Sequence, residues 1–342
     1  MAAPEISVVA PAYNEEDSLQ AFYDRLTATF DGNKIDGEIV FVNDGSRDNT
    51  LPMLIALQAQ DPRVVVVDLS RNFGKEIALT AGLDHARGRA AIPIDVDLQD
   101  PPELIVDLIA KWREGYDVVD ARRRSRQGET FLKKATASLF YKLIKRLDRH
   151  SSIPANVGDF RLIDRKALDA INSMRERHRF MKGIFAFVGF KRTFVDYDRD
   201  PRFGGVTSFN YWKLWNFSLE GITSFSTLPL RAFGYVGFCV AVLSFFYGLF
   251  IMLKSLIFGD EVAGFPTLFV AISFLGGVQL IGLGIIGEYL GRTFNEVKNR
   301  PLYFINAVHT ARPAALEAPR EATRAIPAAD DDPAPVPADP MR

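Results

Sequence analysis

The chain is poor in the residues on which disulfide frameworks and zinc sites depend. It has one cysteine, Cys239, and four histidines in 342 residues. A lone cysteine excludes an intrachain disulfide, and its apolar neighbourhood suggests no zinc site. Net charge is also nearly absent, since 41 Lys and Arg against 42 Asp and Glu leave −1. That balance lacks the basic footprint of a nucleic-acid-binding protein, so no nucleic-acid partner is expected. Two nucleotide signatures are missing as well. No Gly-x-Gly-x-x-Gly follows the first apolar run, which counts against a dinucleotide oxidoreductase, and there is no P-loop. The N-terminus has no basic-then-apolar leader, so no cleaved signal peptide is expected.

Charge is missing from two long stretches, Ala232 to Leu253 and Ala263 to Gly287. Each meets the roughly 20-residue requirement for a helix that crosses a bilayer. Neither has the polar face of a helix lying on a soluble core. Tyr211, Trp212 and Trp215 precede the first stretch, where a membrane interface would favour them. Arg231 stands before the first stretch, and Arg292, Lys298 and Arg300 follow the second. The connecting loop carries Asp260 and Glu261, with Lys254 nearby. The positive-inside rule then places both termini in the cytoplasm, with the short loop outside. Gly276, Gly277, Gly282, Gly284 and Gly287 leave room for close helix approach, and so for a homo-oligomer. Between Thr130 and Arg149, Leu132, Ala135, Leu139, Leu143 and Leu147 recur at helical spacing among lysines and arginines. This basic amphipathic pattern suits a helix docked on the domain or, beside spanning helices, one lying on anionic membrane lipid, which is the expectation here. From about Thr310 onward, Ala, Pro and an Asp330-Asp331-Asp332 run cannot bury a core, so a disordered tail is expected.

The first half of the chain alternates short apolar runs with amphipathic segments. Ile6–Ala10, Glu38–Val42, Val64–Leu69 and the run before Asp95 read as buried strands. Helices are predicted between them, one with Leu19, Phe22, Tyr23 and Leu26 on a face, another over about Glu76 to Ala86. The pattern predicts an α/β fold with a doubly wound, mainly parallel sheet. Ligands of such sheets bind beyond the carboxyl ends of the strands. Asn14, Asp44, Arg71 and Asp95 all fall at those ends and should converge on one crevice. Residues Phe185 to Tyr197 read as a strand or hairpin.

Asp95-Val96-Asp97-Leu98-Gln99-Asp100-Pro101-Pro102-Glu103 closes the fourth strand. Pro101 and Pro102 stop the ladder just beyond the two carboxylates, so Asp95 and Asp97 belong where the strand breaks into a loop. Asp95, Asp97 and Gln99 offer oxygen donors only, which suits Mg²⁺ or Mn²⁺. Further on, Gly158-Asp159-Phe160-Arg161 brings a carboxylate and a guanidinium together. Arg202-Phe203-Gly204-Gly205-Val206-Thr207-Ser208-Phe209 is a cationic, Gly-rich loop.

Four motifs in order carry a family resemblance. They are Pro11-Ala12-Tyr13-Asn14-Glu15, Val42-Asn43-Asp44-Gly45-Ser46, Ser70-Arg71-Asn72-Phe73-Gly74-Lys75-Glu76 and the Asp95 to Glu103 stretch. Together they resemble the inverting family 2 glycosyltransferases with a nucleotide-sugar-binding (GT-A-like) fold. The narrower resemblance is to the polyprenyl-phosphate branch, which includes bactoprenol glucosyltransferases and dolichol-phosphate mannose synthase. Arg202 to Phe209, Glu220 to Ser226 and Pro229-Leu230-Arg231 resemble its membrane-anchored members. The resemblance spans roughly Ile6 to Ile305. It implies a cytoplasmic catalytic domain over residues 1–230, a two-helix membrane anchor over 231–295, a juxtamembrane segment over 296–309 and a tail over 310–342.

The resemblance also implies roles. A nucleotide-sugar donor would lie against Pro11, Tyr13, Asn14, Glu15, Asp44, Arg71, Lys75, Asp95 and Arg122. Asp95, Asp97 and Gln99 would hold the metal that bridges the donor diphosphate. Arg161, Arg202, Thr207 and Ser208 would meet the acceptor phosphate, although the family often has Lys where Ser208 stands. Asp159 would act as a base or orient Arg161, which with Asp97 completes the implied catalytic set. The implied reaction moves glucose from UDP-glucose to a polyprenyl phosphate, with mannose from GDP-mannose as the second choice. A processive polysaccharide synthase would need more spanning helices and a Gln-x-x-Arg-Trp motif. A transport subunit would need an ionisable pathway that the two apolar stretches lack.

Overall fold

The computed structural model describes residues 3–124, 156–177, 179–198 and 264–311, with scattered positions between 230 and 257. The expected basic helix at 130–149, the loop at 202–209 with Arg202, Thr207 and Ser208, the aromatic run after it and the tail beyond 311 lie outside the described residues.

The predicted strands form as β1 (Ile6–Ala12), β2 (Gly37–Asn43), β3 (Val64–Leu69) and β4 (Ala90–Pro93). They join β5 (Val118–Arg123), β6 (Val157–Asp164), β7 (Arg192–Tyr197) and β8 (Ile305–His309) in one sheet. Its order is β7-β5-β6-β4-β1-β2-β3-β8. The central run β4-β1-β2-β3 is parallel, as is β5 with β7, while β6 and β8 run antiparallel to their neighbours.

Continuous apolar strands need cover on both faces. One face takes α1 (Leu19–Asn33), α2 (Thr50–Gln60) and α4 (Ile105–Arg113), through Leu19, Phe22, Leu26, Leu54 and Leu108. The other takes α3 (Lys75–His85), α5 (Arg165–Ser173) and α6 (Met181–Phe187), through Leu79, Leu168 and Ile184. Pro11 is tolerated within β1 because pairing with β4 stops at Val9 opposite Pro93, short of it. The sheet order reverses between β1 and β4, and such switch points open a crevice for ligands.

Three expectations change. The segment from Phe185 is not a hairpin. Met181, Ile184 and Phe185 are buried at helical spacing in α6, and Gly189 at φ 67° turns the chain into β7. The expected juxtamembrane segment 296–309 carries β8, which adds an antiparallel edge to β3. The second apolar stretch is also longer than its uncharged part, because α7 runs Phe265–Val297. Its last turns carry Glu288 and Arg292, paired at 2.9 Å one turn apart, which sustains helix beyond the apolar run.

Within α7, Phe274–Val297 is long and apolar enough to cross a membrane, with mean hydropathy 1.4. It is the one such helix among the described residues. Described positions between 230 and 257 are helical as well. Gly282 of α7 lies against the ring of Phe233, so close that a Cβ there would meet it at 2.0 Å.

Candidate active site

The carboxyl ends of β1 to β4 gather the predicted donor loops. Tyr13 is 42 % exposed at the rim. Asn14 takes a left-handed φ of 54° and latches two loops together. Its backbone N–H donates to Ser46 Oγ at 3.1 Å, and its Oδ1 accepts from the Arg47 N–H at 2.8 Å. Glu15 turns to the start of α1, where it accepts from Ser18 Oγ at 2.6 Å.

Asp44 is 3 % exposed and accepts from the N–H groups of Phe73 (2.7 Å) and Gly74 (3.0 Å). Burial pushes its carboxyl up, and those two amides pull it partly back. Each oxygen keeps lone-pair capacity, so Asp44 braces the loop after β3 and can still face a ligand. The close approach needs Gly45, whose φ is 65° and whose Cβ would fall 2.5 Å from the Asn72 nitrogen. Arg71 is exposed, and its guanidinium sits 4.2 Å over the Phe73 ring.

The ammonium of Lys75, at the start of α3, touches the Asp95 carboxylate at 2.6 Å and Asp159 at 3.2 Å. Burial works against its charge, but the two carboxylates outweigh burial and raise its pKa. Burial likewise opposes the charge on Asp159, yet Lys75, Lys182 and Arg161 hold its carboxyl below the usual range. Glu76 beside them is pushed up to about 7 by burial and by the charge of Asp159. Asp97 accepts from the Gln99 N–H at 3.1 Å, and Leu98 between them takes φ 59° as the strand breaks. Among the described residues, no three His, Cys, Asp or Glu side chains group as a ready metal cage. The arrangement still fits Mg²⁺ or Mn²⁺. The Lys75 ammonium already occupies a cation position between two carboxylates, and Mg²⁺ commonly takes only one or two carboxylates plus substrate phosphates.

Two predicted arginines are engaged by other partners. Arg161 is 3 % exposed and does not face the crevice. Because β6 runs antiparallel to β4, the chain descends from the crevice after Asp159, and Arg161 lies roughly 6–7 Å deeper. There it meets Asp120, its register partner on β5, at 3.2 Å, and packs its guanidinium 4.1 Å over Phe185. Its N–H groups donate to the carbonyls of Gly158 and Asp159. Asp159 therefore does not orient Arg161 through its carboxylate. Arg122 lies at the crevice end of β5 but pairs with Asp196 at 2.6 Å.

Sequence reasoning missed two groups. Tyr197 Oη donates a short hydrogen bond to Asp100, and Arg123 donates to Tyr197 Oη at 3.2 Å. Asp120 also binds Arg192, at 3.2 Å. Asp100 stands in a quoted motif, but its partners come from β5 and β7, whose neighbourhood no local spacing announces.

The match to known proteins agrees with this geometry. Residues 7–171 match the model for Glycosyl transferase family 2. An uncharacterised glycosyltransferase of Synechocystis is 57 % identical over 88 % of this chain and 95 % of its own length. The SfII prophage-derived bactoprenol glucosyl transferase of Shigella flexneri is 50 % identical over 90 % of this chain and all of its own. The prophage bactoprenol glucosyl transferase homolog of Escherichia coli is 51 % identical over 89 % and 99 %. Among solved structures, glucosyl-3-phosphoglycerate synthase of Mycobacterium tuberculosis, in complex with Mn²⁺, UDP-glucose and phosphoglyceric acid, has a TM-score of 0.47. It is 22 % identical over 65 % of this chain and 78 % of that one. The chain belongs to glycosyltransferase family 2, and it is a glycosyltransferase.

Proposed function

We propose that the chain transfers glucose from UDP-glucose to a polyprenyl phosphate, with inversion, at the cytoplasmic face of a bacterial inner membrane. The carrying observation is the cluster of Lys75, Asp95 and Asp159 at the sheet's switch point, in a chain about half identical to bactoprenol glucosyl transferases. The donor lies along the ends of β1 to β4, with its nucleoside near Tyr13, Asp44 and Arg71 and its diphosphate near Asp95 and Asp97. Asp95, Asp97 and Gln99 would hold Mg²⁺ or Mn²⁺. When bound, the ion supplies Lewis-acid stabilisation of charge on the departing diphosphate. Lys75 stays within reach of that charge, held by Asp159.

A phosphate acceptor is already ionised near neutral pH, so no strong general base is needed. Asp159, kept ionised beside Lys75, serves to place the ammonium. Acceptor binding is assigned to Arg202, Thr207 and Ser208, whose hydroxyls and guanidinium suit phosphate oxygens. Incubating membranes with radiolabelled UDP-glucose, GDP-mannose and other nucleotide-sugars, then extracting lipid, tests the reading. Label should enter lipid from UDP-glucose, vanish with EDTA and return with Mg²⁺ or Mn²⁺. Lipid labelled from GDP-mannose alone overturns the choice of sugar.

Parity supports the two-span topology. Strand β8 comes after α7 and pairs with β3, so the chain must return to the side it left. Crossings between Tyr197 and Ile305 are then even in number. With α7 as one, Ala232 to Leu253 is assigned the other, in keeping with Phe233 against Gly282. A reporter enzyme that works only in the periplasm should be inactive when fused at the C-terminus and active when inserted beside Asp260. Activity at the C-terminus overturns the cytoplasmic placement of the termini.

A further inference from the structure

Strand β8 follows a membrane-type helix in sequence, yet its first residues lie at the nucleotide end of the crevice. The carbonyl of Phe304, just before the strand, accepts from the Ser70 N–H at 2.9 Å. Its ring, 57 % exposed, lies 6.5 Å from that of Phe73. Phe73 carries Arg71 on its ring and gives its N–H to Asp44. A second line of contacts starts at Asn306. Its Nδ2 donates to Asp68 Oδ2 at 2.7 Å, and Asp68 Oδ1 accepts from Asn43 Nδ2 at 2.7 Å. Asn43 Oδ1 then accepts from the Ser46 N–H, and Ser46 Oγ from the Asn14 N–H. Asp68 is 4 % exposed and Asn43 1 %. The ends of this relay, Asn306 and Asn14, are exposed, while its buried middle is stiff, because Asp68 and Asn43 each lose a full hydrogen bond if they move.

The linking segment is itself clamped. Tyr303 Oη donates to Asp84 at 2.7 Å, and Arg175 pairs with the same carboxylate at 2.8 Å. The end of α7 meets the domain too, where Glu296 accepts from the Arg177 N–H at 3.1 Å.

We propose that Phe304 and Asn306 are positioning residues for a nucleoside diphosphate. Phe304 holds Phe73 and Arg71 in place, and Asn306 holds the Asn14 and Asp44 loops through Asp68 and Asn43. The strand beyond the membrane helix thereby sets the donor site. This rests on the crevice being the donor site, so the experiment carries a control for that reading.

Full-length protein in lipid nanodiscs is titrated with UDP, and in a parallel arm with GDP, as Phe304→Ala, Asn306→Ala, Phe304→Tyr and Asp44→Asn. Steady-state KM is measured for UDP-glucose and for polyprenyl phosphate. Phe304→Ala and Asn306→Ala should each weaken UDP and raise donor KM about 5- to 10-fold, the effect of one lost contact. Lipid KM should stay within about two-fold, and Phe304→Tyr should restore UDP binding, as keeping the ring keeps the contact. A strand that merely stabilises the fold would lower Tm and shift both KM values together, which overturns the proposal. So does unchanged UDP affinity in both alanine variants when Asp44→Asn weakens it. If Asp44→Asn leaves nucleotide binding unchanged, the donor-site reading fails first and the positioning role falls with it.

Discussion

Asp97→Asn is expected to abolish sugar transfer while leaving the fold intact. Asparagine keeps an oxygen that can accept from the Gln99 N–H, so the turn after β4 retains that hydrogen bond. The change removes one of two carboxylates offered to a divalent cation. Lewis-acid stabilisation is worth several kcal/mol, so kcat/KM should fall by on the order of 10²–10³-fold or more. Mn²⁺ binding, followed by the loss of its free-ion electron paramagnetic resonance signal, should weaken in parallel. Far-ultraviolet circular dichroism and Tm should stay near wild type. Full activity of Asp97→Asn in the presence of chelator would sink the metal-dependent assignment.

The second large effect is on stability. Asp120 is fully buried between Arg161 and Arg192, at 3.2 Å from each. Asp120→Ala leaves Arg161 charged in the interior with its principal counter-charge gone. Burial already lowers the pKa of Arg161 against the pull of Asp120 and Asp159, but a guanidinium does not lose its proton at neutral pH. Breaking a buried pair in this way costs about 3–5 kcal/mol. For a domain of this size that is a drop of roughly 6–20 °C in Tm. Arg161→Met should also lower Tm, and polyprenyl-phosphate KM should change less than stability does. If Arg161→Met instead raises lipid KM with Tm unchanged, Arg161 reaches the acceptor after all and its burial is not its role.

These cases show how much of the site was legible in advance. Asn14, Asp44, Arg71 and Asp95 could be placed together because each follows the end of an apolar run read as a strand. In a parallel sheet all such ends share one side, so local pattern alone brings them to the crevice. Asp159 and Arg161 looked like a pair because they stand two apart on one strand. Their separation depends on the strand running antiparallel to β4, which puts one at the crevice and the other beneath it. Nothing in Gly158 to Ile163 itself encodes that direction. The same holds for Asp100 and Tyr197, joined only when β7 takes its place beside β5.

By itself, the sequence determined the alternation of buried strands and amphipathic helices, the oxygen-only character of the Asp95 to Gln99 turn and the apolar stretch that became α7. These depend on period, on side-chain chemistry and on hydrophobicity, all carried by neighbours in the chain. Tertiary structure alone decided that 305–309 is a strand of the sheet, that Arg161 is enclosed by Asp120 and Phe185, and that Lys75 bridges Asp95 and Asp159. The physical reason is that these features depend on long-range pairing. A five-residue strand has too few side chains to announce its partner, and an ion pair is recognised only once two distant backbones have set its distance. Strand β8 is the extreme case, because its partner β3 lies far away in the chain, and long-range pairing along that edge brings it to the loops after β2 and β3.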